Sequence, residues 1–476
     1  MRKIRYIEAV DKITEYIKEK KLLPGDKLPT YRDLANLFDV SMHTIGNALE
    51  RMHYKGIVDI RPQSGVFIMD NAWNELYSNA FNWQSYFKKS KQVPIEILKR
   101  FSDSRKQCEI DSAGYVLSNL NITPDFNWHP LWKKAMQTAM DKTPPESLSI
   151  LANKDKEALK QAFLDYFKSY GLEVQAEQLY LSKSAYYSLT SIILTFFTPG
   201  TICYYVAPSL MDISVLFDVA GLIKVPLPTD TEGLDINYFS GKIRDRSRAA
   251  SGGGVLIVTP EMPLSGRTIS MKRRREVYDI CYKNGIPIIE IDEFRDYHAN
   301  TLPPIKSLDV HGIVFYIGNL AAMLSHHIDA GWIAAQPELI ERLTFVQLSM
   351  CIDTEVINHT VVHEMLASGE YRRYITQLQE MMRDRQRQLN SLLEEHISDI
   401  ATCERNSEVF FWIKFHSYVD VKKMAANKEG LTFADNSSYT FAESNSISIV
   451  LTGLNMPDLP KAIKQLSNLA RRTIKI

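Results

Sequence analysis

His359 and His363 stand four residues apart with Glu364 beside the second, a helical spacing that can bring two imidazoles to one metal ion. In the His-Glu-x-x-His order of zinc proteases the glutamate lies between the histidines. It does not here, so two helical histidines without a metal are the plainer reading. His326, His327 and Asp329 lie close together and either line a ligand pocket or form a solvated loop. Gly252 to Gly254 precede a β-type run, whereas a dinucleotide loop follows its strand, so they read as a flexible turn. The basic run Lys272 to Arg275 opens a helical segment and reads as a solvated face. Cys108, Cys203, Cys281, Cys351 and Cys403 are odd in number and scattered, which fits neither a disulfide framework nor a Cys-x-x-Cys metal site. A reducing cytoplasm is the expected compartment, and no metal is expected.

These groups need a scaffold of more than one core. At 476 residues the chain exceeds what one core organises, since domains cluster at about 100 to 200 residues. Hydrophobic residues at 45% and charged residues at 24% are ordinary for a globular protein. The formal net charge of +0 excludes a global basic field, so contact with nucleic acid would depend on a local patch. Residues 1–70 hold 12 Lys plus Arg against 10 Asp plus Glu, a difference of +2. The acidic residues Glu8, Asp11 and Glu15 break up the start of the chain, so no signal-peptide apolar region is expected. No apolar run approaches the roughly 20 residues of a membrane helix.

The first 70 residues predict three helices and a hairpin. Ile7, Val10, Ile13 and Ile17 mark one apolar helical face. Pro24-Gly25 breaks the chain. Thr30 is placed to cap a second helix with Asp33 in its first turn, and Leu34, Leu37 and Phe38 are its expected buried side. Ser41 caps a third helix through Ile45, Leu49 and Met52, ended by Gly56. The segment GIVDIRPQSGVFI alternates around Pro62 to Gly65 as a two-stranded wing does.

Residues 71–111 carry Trp73, Tyr77, Phe81, Trp83 and Tyr86 and then a charged stretch, expected to be a partly helical linker. Over 112–344, helical patterns alternate with LYLS, TICYYV, GLIKVPL, GVLIVTP, IPIIEID, GIVFYIG and GWIAAQ. That alternation predicts an α/β fold, a mostly parallel sheet with helices on both faces. Residues 345–476 predict one long helix from TEVINH to LLEEH, then the strands FFWIKF and SISIVL and a final helix, a small α+β subdomain.

The run LPGDKLPTYRDLANLFDVSMHTIGNALERMHYKGIVDIRPQSGVFI resembles the GntR winged-helix domain along its length. The resemblance implies that the helix opening at Ser41 enters the major groove while the hairpin reaches minor groove or backbone. It sets Thr30, Arg32, Ser41, His43, Thr44, Asn47, Arg61 and Gly65 as DNA-binding candidates. Among them Arg32 matches a contacting arginine, Thr44 a recognition-helix contact and Gly65 the wing-tip glycine. Met42 departs from the arginine usual in that family, and a thioether cannot hydrogen-bond guanine.

The remainder resembles fold type I aminotransferases as they occur in MocR regulators, through LYLSKSAYYSLTSIILTFFTPGTICYYVAPS, GVLIVTPEMPLSGRTIS and EGLD at 232–235. Residue by residue, the resemblance implies a degenerate cofactor pocket. Ala322 stands where those enzymes carry the lysine that forms a Schiff base with pyridoxal phosphate. Asp329 stands at the phosphate arginine, Ile291 at the pyridine-nitrogen aspartate with Asp292 one place on, and Leu210 at the stacking tyrosine. Lys183, Ser184 and Ala185 replace the phosphate loop, and Ser448 the carboxylate arginine.

These readings imply a cytoplasmic DNA-binding transcription regulator, a homodimer on a double-stranded operator, with no pyridoxal phosphate and no catalytic residue. Ser265, His326 and His327 are candidates for an effector pocket. That pocket is expected to prefer neutral or cationic ligands, because positive groups are lost and Asp329 and Glu293 gained. Alternatively Leu210, Ile291 and Met323 fill the cavity and the domain only dimerises. A pyridoxal-phosphate enzyme with a DNA-binding appendage is the rival class.

Overall fold

The computed structural model describes residues 2–20, 22–69, 114–118, 123–142, 154–207, 211–248, 253–262, 267–299, 301–324, 328, 330–349, 356–404, 407–426, 430–435 and 445–474. The chain divides into two compact units, Met1–Val93 and Pro94–Ile476. The expected linker at 71–111 lies outside the described residues.

In the first unit, α1 (Arg2–Glu19), α2 (Tyr31–Phe38) and α3 (Met42–Tyr54) precede the hairpin β1 (Val58–Arg61) and β2 (Gly65–Ile68). Ala9, Ile13 and Ile17 form the buried stripe of α1, and Ile7 is 46% exposed, not buried as its spacing suggested. Six residues before Ile13, it lies about 120° around the helix from it. Leu37 is likewise exposed, and α2 buries Leu34 and Ala35 instead. Ile45, Leu49 and Met52 of α3 are fully buried as expected. Gly56 follows that helix with φ +73°, a left-handed conformation that costs a glycine nothing. The hairpin pairs Val58 with Ile68 and Arg61 with Gly65.

All seven β-type runs of the second unit become strands of one sheet. They are β3 (Leu179–Ser182), β4 (Ile202–Val206), β5 (Ile223–Leu227), β6 (Gly254–Val258), β7 (Ile288–Ile291), β8 (Val314–Asn319) and β9 (Gly331–Ala334). The order across the sheet is β3-β9-β8-β7-β6-β4-β5. Only β9 runs against its neighbours. Alternate residues feed two faces. Ile257, Ile289 and Phe315 pack with Ile192 and Phe217 on one, while Leu256, Ile288 and Val314 pack with Phe239 and Val277 on the other. Burial on both sides is why these strands read as continuous apolar runs.

The basic run Lys272 to Arg275 is only half solvated. In the helix Met271–Lys283, Lys272 and Arg275 are exposed, but Arg273 and Arg274 are buried. Arg273 Nη1 reaches Asp230 at 2.9 Å, and Arg274 donates to the carbonyls of Ile269 at 3.0 Å and Pro303 at 2.6 Å. The long helix expected after 350 is two helices, Val356–Ala367 and Glu370–Ile397, broken where Gly369 takes φ +73°. The helix Pro337–Ser349 runs through position 345 without a break. FFWIKF and SISIVL pair antiparallel inside a four-stranded sheet, and Leu459–Arg472 packs Leu459, Ile463 and Leu466 inward. Among the described residues no helix is long and apolar enough to cross a membrane.

Candidate functional site

In the first unit the helix pair is held by two caps. Thr30 Oγ1 accepts from Asp33 N and donates to Asp33 Oδ2 at 2.6 Å, and the Asp33 side chain accepts from Thr30 N, a complete capping box. Ser41 Oγ accepts from Thr44 N at 3.1 Å and lies 2.8 Å from Thr44 Oγ1. Thr30, Ser41 and Thr44 thus first of all start helices. Met42, His43, Asn47 and Glu50 are exposed on α3, and Asn47 Nδ2 lies 3.3 Å from His43 Nε2. Arg32 is exposed at the opening of α2. On the hairpin, Arg61 pairs with Asp59 at 2.8 Å and covers the Phe67 ring at 4.6 Å. Gly65 has φ +115°, so any side chain there meets backbone strain, and the end of the Lys27 side chain, 2.5 Å from where a Cβ would lie, would have to move aside.

In the second unit, ligand sites of open α/β sheets lie beyond the carboxyl ends of the strands. There Ala322 sits in the short turn Ala321–Met323 after β8, with its amide donating to Asn319 Oδ1 at 3.0 Å and its carbonyl accepting from Tyr297 Oη. Ile291 ends β7 in the core. The next residue, Asp292, accepts from Arg295 Nε at 2.6 Å and Tyr316 Oη at 3.0 Å. The Arg295 guanidinium stacks 4.3 Å over Tyr170, whose hydroxyl lies 3.1 Å from Tyr316 Oη. Asp296 accepts from Tyr166 at 2.8 Å and Tyr371 at 2.7 Å, and burial holds its carboxyl above the usual range despite both bonds. Glu293 accepts from Asn319 Nδ2 at 2.6 Å, and the buried Met323 gives its carbonyl to Tyr374. Ser184 caps the helix Ala185–Phe196 through Tyr187 N at 3.1 Å, the Lys183 carbonyl accepts from Ala330 N, and Ser448 is buried in the strand Ser446–Val450. Leu210, Ser265, His326, His327 and Asp329 lie outside the described residues.

Residues 5–68 match the family described as bacterial regulatory proteins, gntR family. Over nearly the whole length the chain is 26% identical to the uncharacterized HTH-type transcriptional regulator YdfD of Bacillus subtilis, covering 98% of this chain and 97% of that one. It is 22% identical to the HTH-type transcriptional regulator NorG of Staphylococcus aureus over 83% and 88% of the two chains. Among solved structures, an archaeal alanine:glyoxylate aminotransferase superposes with a TM-score of 0.73 at 19% identity, over 83% of this chain and all of that one. LysN, an α-aminoadipate aminotransferase from Thermus thermophilus, gives 0.70 at 15% identity, over 83% and 99%. The chain has the architecture of a MocR-like GntR regulator.

Aminotransferases act through pyridoxal phosphate, and by sequence resemblance Ala322 stands at its lysine and Ile291 at its pyridine-nitrogen aspartate. Ala322 offers no amine for a Schiff base. Asp292, one residue beyond Ile291, accepts from Arg295 and Tyr316 through Oδ2. The histidine pair gives no alternative centre. His359 is buried near Leu159, Phe163 and Val362, while His363 Nδ1 lies 3.5 Å from Glu364, itself paired with Lys142 at 2.8 Å. Sequence reasoning missed the tyrosine-carboxylate cluster. Its signal was DEFRDY together with the tyrosines of DYFKSY.

A second buried cluster joins the segments that follow β6 and β7 to Ser407 and Glu408. His298 Nε2 contacts Glu261, whose other oxygen accepts from Ser407 Oγ, and His298 Nδ1 lies 3.8 Å from Glu408. Burial alone would lower the imidazole pKa, but Glu261 and then Glu408 outweigh it and raise the value above 6.5. Glu290, fully buried in β7, is pushed up to about 7 by burial. A histidine raised in the fold stabilises it below the unfolded pKa and stops doing so as pH climbs through the folded one. A carboxyl raised from 4.5 to about 7 is deprotonated in the unfolded chain first, so stability also falls across that window, by on the order of 2–3 kcal/mol. The lowered carboxyls of Asp125 and Asp230 act only at more acid pH. The melting temperature is therefore expected to fall from pH 5.5 to 8 in thermal scans, and a rise across that range would contradict the assignment.

Proposed function

We propose that this chain is a sequence-specific DNA-binding transcription regulator. It acts in the cytoplasm as a homodimer on a double-stranded operator, and its large unit has left pyridoxal-phosphate catalysis for dimerisation and effector sensing. The observation that carries the reading is the doubly capped helix pair with its wing, at residues 5–68, in a chain that aligns end to end with an HTH-type transcriptional regulator. Two half-sites held by one dimer gain avidity without new contacts. Arg32, with His43, Asn47 and Arg61, faces the DNA, while Thr30, Ser41 and Thr44 set the helix starts. The loss of cofactor chemistry is supported by Ala322, which carries no amine for a Schiff base, and by Ile291 in place of a carboxylate. An effector at Ser265, His326 and His327 would be neutral or cationic, since Asp329 opposes anions.

A filled interior is the second reading for the large unit. Ile291, Ala322 and Met323 are buried and the nearby carboxylates bond to tyrosines and an arginine, which favours a structural dimerisation domain.

The test is selection of duplexes from a random pool by the full chain, with an absorption spectrum of the same preparation. One enriched motif is expected, bound on the order of tenfold or more weakly by Arg32→Ala at equal salt, and no aldimine band. A pool that enriches nothing overturns the regulator. A visible band trapped on a lysine by borohydride overturns the loss of the cofactor.

A further inference from the structure

The outer face of α3 has an unusual chemistry for a helix that reads bases, because its exposed opening carries no arginine or lysine. Met42, the first residue after the Ser41 cap, is 56% exposed. His43, Asn47 and Glu50 continue the exposed face, at helical steps of three and four residues. The nearest cation of the helix, Arg51, lies toward its far end with its guanidinium 5.9 Å from the Tyr6 ring. Gly46 opens the space between these side chains, since a Cβ there would meet only the Tyr31 ring at 3.8 Å.

Met42 and Asn47, at the opening of the helix, each suit a particular base edge. Guanine offers two acceptors, O6 and N7, and is read by a side chain with two donors such as arginine. No such side chain stands at this end of α3. A thioether gains from apolar contact, and in the major groove the apolar group is the thymine 5-methyl. An amide has a donor and an acceptor and matches adenine N7 and N6. Asn47 has one amide proton to spend on His43 Nε2 at 3.3 Å, which leaves its second proton and its Oδ1 for that edge.

We infer that Met42 is a specificity-determining residue that selects a T·A pair through the thymine methyl, with Asn47 reading an adjacent adenine, so that the pairs facing the opening of the helix are A·T. Glu50, about two turns on, suits the amine of a cytosine instead. This rests on the proposed regulator. The fixed phosphate contacts fall to the exposed cations beside the helix, Arg32 and Lys55, which set register without naming a base.

The experiment uses the full chain and the motif enriched from a random duplex pool. Thymine at the Met42 position is then replaced by uracil, which differs only in the 5-methyl. The parent is expected to lose about fourfold in affinity, the worth of one apolar carbon group taken out of water at about 0.8 kcal/mol. Met42→Ala should show no difference between thymine and uracil, and Met42→Arg should move the selected pair to G·C. An enriched motif that is unchanged by Met42→Arg, or equal affinity of the parent for thymine and uracil at every position, overturns the inference while leaving the regulator standing. A pool that enriches nothing for the parent overturns both.

Discussion

Arg385→Ala is expected to destabilise the large unit by about 3–5 kcal/mol, the cost of losing several hydrogen bonds of a buried cation together with its packing over an aromatic ring. Its side chain is 4% exposed and the guanidinium lies 4.2 Å over Phe126. Nη1 donates to the carbonyls of Leu451 at 2.8 Å and Leu454 at 3.2 Å, and Nη2 to Thr123 Oγ1 at 2.8 Å and Asp125 Oδ2 at 2.5 Å. One planar fork thereby joins the long helix Glu370–Ile397 to the segment before Phe126 and to the turn after the strand Ser446–Val450. Asp125 is half exposed, so the ion pair itself contributes little. The larger loss is the set of charge-assisted bonds to Leu451, Leu454 and Thr123, of which the Leu451 carbonyl keeps only a backbone donor at 3.4 Å. Lysine lacks the fork and is expected to recover less than half of the loss. Arg387, two residues on and 78% exposed in its side chain, is the control, with Arg387→Ala inside about 0.5 kcal/mol. Chemical denaturation of the three variants checks the order, and equal effects at 385 and 387 would contradict it.

That contrast shows what the sequence displays and what it hides. Arg385 and Arg387 stand in the same charged stretch, MMRDRQRQ, and nothing local tells them apart. The partners of Arg385 lie 66 to 262 residues away. The same holds for Arg274, whose partner carbonyl at Pro303 is 29 residues distant. By contrast, the seven sheet strands were legible because burial on both faces demands runs of apolar residues, and that demand is local. The caps Thr30 and Ser41 were legible for the same reason, since each bond closes within three residues. The break at Gly369 was not, because one glycine is tolerated within a helix and only its left-handed φ marks the end. Ile7 and Leu37 misled because an apolar residue beside the buried stripe still fits the period when the phase is slightly wrong.

The Asp292–Arg295 pair is the second place where a single substitution should have a large effect. Both side chains are 5% exposed at 2.6 Å, so Asp292→Leu leaves a guanidinium buried against Tyr170 without its counter-charge, and a loss of about 3–5 kcal/mol is expected. Arg295→Met leaves the carboxylate with Tyr316 alone and should cost a similar amount. Arg295 Nη1 finds no acceptor among the described residues, so the pair is incompletely satisfied as it stands. Apolar replacement of both partners can recover much of a broken buried pair. Asp292→Leu with Arg295→Met is therefore expected to cost less than either single change, a coupling of at least 2 kcal/mol in a double-mutant cycle. Strict additivity would show that Asp292 is stabilised by something other than Arg295. Strong coupling would make the pair a structural element of the large unit's interior.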